Sequence, residues 1–197
     1  MSQQHPPESV SNRAFAGARQ VMGGTSDAWK NADSSCLVNR VVSGGLTNLL
    51  NLVQLVDPGT GLMQEQVLVR LFGEGTEEFI DREVDNNVSM LMSSTGIAPK
   101  VYGSFNGGRV EEFITDSQMI SHLDMQKPNI FPHLARLMAK MHSTPLHECV
   151  RAGFRADKPI TASMLKQLLH GAQRVRFDNN ARKALRLASL EIGVIAS

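Results

Sequence analysis

Between residues 37 and 114, short apolar runs alternate with turn chemistry. Residues 37–42 are apolar enough for a strand and end at Ser43-Gly44-Gly45-Leu46-Thr47-Asn48, where two glycines turn the chain. Residues 49–56 form a second, partly β-branched run closed by Asp57-Pro58-Gly59. Val67-Leu68-Val69-Arg70-Leu71-Phe72 is a third, closed by Gly73. The period then changes. Val84, Val88, Leu91 and Met92 stand at i, i+4, i+7 and i+8, one face of a helix over residues 80–94. Gly96 supplies its stop and Pro99 bars its continuation. Residues 100–105 and 109–114 are two more strands around Asn106-Gly107-Gly108, a hairpin signal. The loop joining the first two strands suits antiparallel neighbours and is too short for a parallel crossover. The order strand, strand, strand, helix, strand, strand predicts an α+β fold: a five-stranded antiparallel sheet with one helix packed on a face.

The flanks read differently. Residues 1–35 are rich in Ser, Gln, Asn, Gly and Pro without a sustained period. They read as a flexible leader ending in one or two short helical turns around residues 27–32. Downstream of residue 117 the pattern is helical. Leu134, Leu137, Met138 and Met141 form a stripe that begins near Pro132 and ends at His142. Met164, Leu165, Leu168 and Leu169 mark a shorter helix, and Ala181, Ala184, Leu185, Ala188 and Ile192 a last one. No segment repeats at a fixed period, which excludes a solenoid.

Composition narrows the class. The chain has 197 residues, 42% hydrophobic and 20% charged, enough for a domain or a domain and a half with a real core. Its two cysteines, Cys36 and Cys149, are far apart, which excludes a disulfide scaffold and a cysteine-based zinc site and suits a reducing, cytoplasmic setting. No apolar run approaches the ~18 residues of a membrane span, and residues 1–10 lack the apolar region of a secretory signal. The net charge of +1 conceals an asymmetry: residues 57–116 carry 11 acids against 4 bases, residues 151–197 carry 9 bases against 3 acids. Only Phe154 and Phe177 lie among those bases, so stacking support for nucleic acid is thin and no nucleic-acid partner is expected.

Three features carry candidate chemistry. Glycines in the Ser43–Asn48 loop let backbone N–H groups approach a phosphate, and the hydroxyls can add donors. A Gly-Gly turn can also be only a turn, and this one lacks the lysine and the following helix of a Walker loop. Arg70, in mid-strand, either points to solvent or reaches a bound anion. Glu77, Glu78, Asp81, Glu83 and Asp85 gather at the helix start. There they complement the dipole, or one of them pairs with Arg70. His142 and His147, separated by Pro145, do not share a helix face and form no metal set.

In order and spacing, Val42–Leu50, Val67–Gly73, Ile80-Asp81-Arg82-Glu83, Gly96–Phe105 and Asn106–Ile114 resemble the N-terminal lobe of a protein-kinase-like fold. More narrowly they resemble the choline/ethanolamine kinase family, its ethanolamine branch slightly more. The Leu137–Ser143 helix end is similar too. The resemblance implies ATP and Mg as cofactors, MgATP binding, and phosphorylation of ethanolamine or choline for phospholipid head-group synthesis. It makes Ser43, Gly44, Gly45, Leu46, Thr47 and Asn48 the loop over the nucleotide phosphates. Arg70 takes the place of the third-strand lysine at the α/β-phosphates. Asp85 becomes its helix partner, one methylene shorter than the usual glutamate. Glu112 to Ile114 become the hinge that offers backbone groups to adenine. The family's His-x-Asp-x-x-x-x-Asn segment and its later metal-binding aspartate have no counterpart in these 197 residues, so no catalytic or metal residue is assigned. The expected organisation is a leader at 1–35, a nucleotide-binding lobe at 36–116 and the helical start of an incomplete C-terminal lobe at 117–197. Such a truncated chain is expected to be inactive alone. The alternative is a non-catalytic nucleotide-binding or dimer-partner module, since family members commonly form dimers, here a homodimer or heterodimer.

Overall fold

The computed structural model describes residues 8–44, 47–78, 80–118 and 120–153. The helices expected over 163–170 and 179–192 lie outside the described residues. Five strands, β1 (Leu37–Gly44), β2 (Asn48–Val56), β3 (Met63–Phe72), β4 (Val101–Phe105) and β5 (Gly108–Glu111), form one antiparallel sheet in the order β1-β2-β3-β5-β4. β3 starts four residues before its apolar run, because polar Glu65 and Gln66 still pair with Leu55 and Gln54 of β2. β5 ends at Glu111, short of the predicted Ile114. The β4–β5 hairpin closes through Asn106-Gly107, with Gly107 at φ 86°. At Gly108 a Cβ would stand 2.4 Å from the Arg70 carbonyl, so glycine is what lets β5 seat against β3.

Strand alternation divides the sheet into two faces. Val53, Leu55, Val67, Val69, Leu71 and Val110 are buried on one. That face is covered by a helix the sequence pattern did not show. Glu8–Met22 is α1, and its Ala14, Ala18 and Met22, at i, i+4 and i+8, are buried against the sheet. The expectation of a flexible leader is corrected here. A stripe of two alanines and one methionine buries well at close approach but carries little hydrophobic signal. Gly17 shows how close: a Cβ there would lie 2.3 Å from the Phe105 ring. Asn39 Nδ2 donates to Ser11 Oγ and to Asn51 Oδ1, each at 3.2 Å, and pins α1 with polar contacts.

α2 (Asp27–Lys30), in the span predicted for a short helical turn, carries the fully buried Trp29. The indole Nε1 donates to Glu65 Oε2 at 2.6 Å, which ties the polar half of β3 to the core. Burying an indole of this size removes ~200 Å² from water, an upper estimate of ~5 kcal/mol.

α3 (Arg82–Ser94) is capped by Asp81, whose Oδ1 accepts from the Glu83 and Val84 amides at 3.1 Å. It stops where predicted, with Gly96 at φ 68° and the Ile97 amide closing back on the Met92 carbonyl at 3.0 Å. Ser93 Oγ, near its end, accepts from the Val101 amide at 2.9 Å and holds the helix beside β4. α4 (Phe131–His142) begins with Pro132 in its first turn, and α5 (Leu146–Arg151) follows. Phe131, Leu137, Met138 and Met141 of α4 are exposed. Among the described residues no helix is long and apolar enough to cross a membrane.

Candidate functional site

The sheet face opposite α1 carries the charged residues. On β3, Leu68, Arg70 and Phe72 alternate with the buried Val67, Val69 and Leu71. Arg70 lies across from Leu50 of β2 and Arg109 of β5. Its guanidinium does not meet Asp85. It forms a two-pronged pair with Glu111, Nε to Oε1 at 2.8 Å and Nη2 to Oε2 at 3.0 Å. The topology explains the change of partner, because β5 stands between β3 and β4, the strand beside which α3 sits. A short aspartate on α3 therefore meets β5 first. Arg109 Nη1 donates to Asp85 Oδ2 at 2.9 Å, and Arg109 Nε donates to Glu111 Oε1. Arg82 adds a second cation 3.6 Å from Asp85.

The result is a connected row: Arg70, Glu111, Arg109, Asp85, Arg82. Three guanidiniums against two carboxylates leave one positive charge in excess. Burial alone would raise the Glu111 carboxyl, but the hydrogen bonds from Arg70 and Arg109 outweigh it and hold it below the ordinary carboxylate range. The hydrogen bond to Glu111 in turn pushes Arg70 above its ordinary value. Arg70 Nη1 has no hydrogen-bond partner among the described residues, and the side chain is 22% exposed. Its open edge can accept an anion.

The glycine loop leaves β1 at Ser43 and Gly44, which pair with Leu50 and Leu49. Gly45 and Leu46 lie outside the described residues. Thr47 and Asn48 re-enter at β2, where Asn48 lies across from Phe72. The Thr47 carbonyl accepts the Gly73 amide at 2.9 Å. Loop and Arg70 thus sit toward one end of the same three strands. At the position expected for the hinge, the Glu112 amide donates to the Lys100 carbonyl at 2.7 Å and its carboxylate accepts the Lys100 amide at 3.1 Å. Ile114 is exposed, and its carbonyl accepts from Ser117 Oγ at 3.1 Å. A cavity of about 450 Å³ opens between α1, the start of α3 and the β4–β5 turn. Neither Arg70 nor Glu111 lines it, and its three glutamates against two arginines favour no ligand charge.

Sequence reasoning named Asp85 and missed Arg109 and Glu111 as site residues. Their signal was the period-2 spacing, which puts both on one strand face. Arg82 also went unassigned, although a cation opening a helix opposes the dipole and invites a reason.

A family model described as choline/ethanolamine kinase matches residues 38–194. A probable ethanolamine kinase of Arabidopsis thaliana is 33% identical over 118 residues, 60% of this chain and 31% of that protein. A choline/ethanolamine kinase of Homo sapiens is 30% identical over 132 residues, 66% of this chain and 32% of that protein. Among solved structures, an ethanolamine kinase from Plasmodium vivax aligns with TM-score 0.60 and 26% identity, covering 85% of this chain and 48% of its own. A choline kinase from Cryptosporidium parvum aligns with TM-score 0.51 and 26% identity, covering 76% and 37%. The chain spans between 22% and 52% of the length of the first curated relatives it matches.

Proposed function

Because the chain belongs to the choline/ethanolamine kinase family, we propose that its sheet is the nucleotide-binding lobe of an ATP-dependent kinase whose substrate is ethanolamine or choline. We assign residues 36–116 to that lobe and residues 117–197 to the start of the next one. The observation that carries the reading is the edge of Arg70 left unpaired among the described residues, held by Glu111 in a row with one excess positive charge. That edge suits the α/β-phosphates. Ser43, Gly44, Gly45, Leu46, Thr47 and Asn48 close over the phosphates from the β1–β2 turn. Asp85 acts on Arg70 through Arg109 and Glu111. The stretch from Glu112 to Ile114 meets adenine, and because the Glu112 amide is engaged by Lys100 the adenine contacts fall to the residues after it.

In the parent reaction the γ-phosphoryl group passes to the alcohol oxygen of the amine, on the way to phospholipid head groups. This lobe binds and orients the nucleotide. Mg²⁺ neutralises phosphate charge in such transfers. Among the described residues no three His, Cys, Asp or Glu side chains converge on a metal position, so no Mg²⁺ ligand is assigned to them. We place the transfer chemistry outside them as well, and residues 1–197 alone are expected to bind nucleotide without turnover, in the cytoplasm.

Titration calorimetry of the chain with MgATP tests the reading. Micromolar to millimolar binding is expected, weakened about tenfold or more by Arg70→Ala, the loss of one charged phosphate contact. Equal affinity in the variant would overturn the assignment of Arg70, and formation of phosphoethanolamine by the chain would overturn the expected lack of turnover. A second reading, a non-catalytic dimer-partner module, is favoured by the exposed Leu137, Met138 and Met141 of α4. Light scattering decides it: a monomer at all concentrations removes the self-association form of that reading.

A further inference from the structure

Arg82 opens α3, where the helix dipole disfavours a cation. Its side chain is nonetheless only 16% exposed, and its guanidinium lies over the Phe72 ring, 4.2 Å from the centroid. Two contacts reach out of the helix to the β1–β2 turn. Nη2 donates to the Thr47 carbonyl at 3.1 Å, and Nη1 to Asn48 Oδ1 at 3.4 Å. Nη2 also bonds Thr76 Oγ1, which itself donates to the Gly73 carbonyl at 2.7 Å. Gly73 returns its amide to Thr47. Arg82 Nε is buried without a hydrogen-bond partner among the described residues, a cost the planar fork accepts while its two ends are engaged. On its other side Arg82 neighbours Asp85, and through Asp85 and Arg109 the row continues to Glu111 and Arg70.

We infer that Arg82 is a positioning residue that pins the downstream foot of the 43–48 loop, Thr47 and Asn48, to the start of α3. Thr47, Asn48 and Arg70 then belong to one connected frame and face the same phosphates. The inference rests on the nucleotide reading above. A lysine cannot replace the arginine: one ammonium cannot lie flat on Phe72 and span Thr47 and Asn48 at once.

The test compares the 197-residue chain with Arg82→Ala and Arg82→Lys. Titration with MgADP and with adenosine separates phosphate binding from base binding, and amide exchange follows residues 47–50 and Gly73. Arg82→Ala is expected to lose MgADP affinity about tenfold, or 1.4 kcal/mol, with adenosine affinity unchanged and faster exchange confined to those amides. Arg82→Lys, which keeps the cation and its stem, is expected to retain the fold and lose about fivefold; it decides the matter if the alanine variant does not fold. Unchanged MgADP affinity with unchanged exchange would overturn the inference. So would a parallel loss of both ligands with exchange rising across the whole sheet, which marks a residue of general stability. If the unaltered chain binds neither ligand, the nucleotide reading fails, and exchange at residues 47–50 and Gly73 alone decides whether Arg82 pins the loop.

Discussion

Replacing Glu111 by glutamine would set one neutral amide between two guanidiniums. Glu111 is 5% exposed and accepts three hydrogen bonds, two from Arg70 and one from Arg109. The glutamine keeps one acceptor oxygen but turns an NH₂ toward an arginine donor. Breaking a buried pair from one side costs about 3–5 kcal/mol, but water reaching Arg70 recovers part of it, so about 2–3 kcal/mol is expected. Urea unfolding at pH 7, followed by the fluorescence of Trp29, the chain's single tryptophan, reads the loss. The pH dependence supplies an independent check. Because the arginine hydrogen bonds prevail over burial, the folded Glu111 binds its proton more weakly than the unfolded one. Its contribution is complete above the unfolded carboxylate value of about 4.3 and is lost as pH falls from there through the folded value. Below pH 5 the unaltered chain should lose stability faster than Glu111→Gln, and the two curves should converge. A loss under about 0.5 kcal/mol at pH 7, within the range of neutral surface changes, with the same acid slope in both proteins, would refute the reasoning.

Two further substitutions test the scaffold around the site. Asp81→Ala removes the acceptor for two α3 amides and is expected to cost about 1 kcal/mol in a thermal melt; no change would mean water caps the helix equally well. Gly17→Ala should gain about 1 kcal/mol of helix propensity but force the Phe105 ring out of its slot between Gly17 and Gly108. Overpacking of that kind costs about 1–3 kcal/mol, so net destabilisation is expected, reversed when Phe105→Leu is added. A stabilised single variant would show that the slot has room.

The sheet was legible because its strands are short apolar runs punctuated by Gly, Pro and Asn, and local chemistry of that kind survives tertiary context. Residues 63–66 were not legible, since a polar half-strand is held by pairing with β2 and by the bond from Trp29, neither of which is local. α1 escaped for a different reason. Hydrophobic periodicity reports large side chains, and the face this helix buries carries small ones that let it lie close to the sheet. At the site, residue types were readable while connections were not. Arg70 stands out in the sequence as a cation in mid-strand, but its partner depends on which strand separates β3 from α3. That is fixed by the return of β5 beside β3, a long-range event no spacing rule encodes.

Among the described residues, six of the twelve in the main core cluster, Ala14, Ala18, Met22, Trp29, Ala32 and Leu37, precede residue 38, where the family model's match begins. The span that the family model matches and the core that steadies the sheet are therefore distributed differently along this polypeptide. A shortened chain cut at residue 38, where the family model's match begins, would keep every residue of the 43–48 loop and the arginine row, yet lose half of the described core cluster that keeps the sheet's inner face dry. Exchanging the first 37 residues with those of a relative is accordingly a transplant of core, in which small side chains at positions 14 and 18 and the glycine at 17 must travel with the phenylalanine they accommodate.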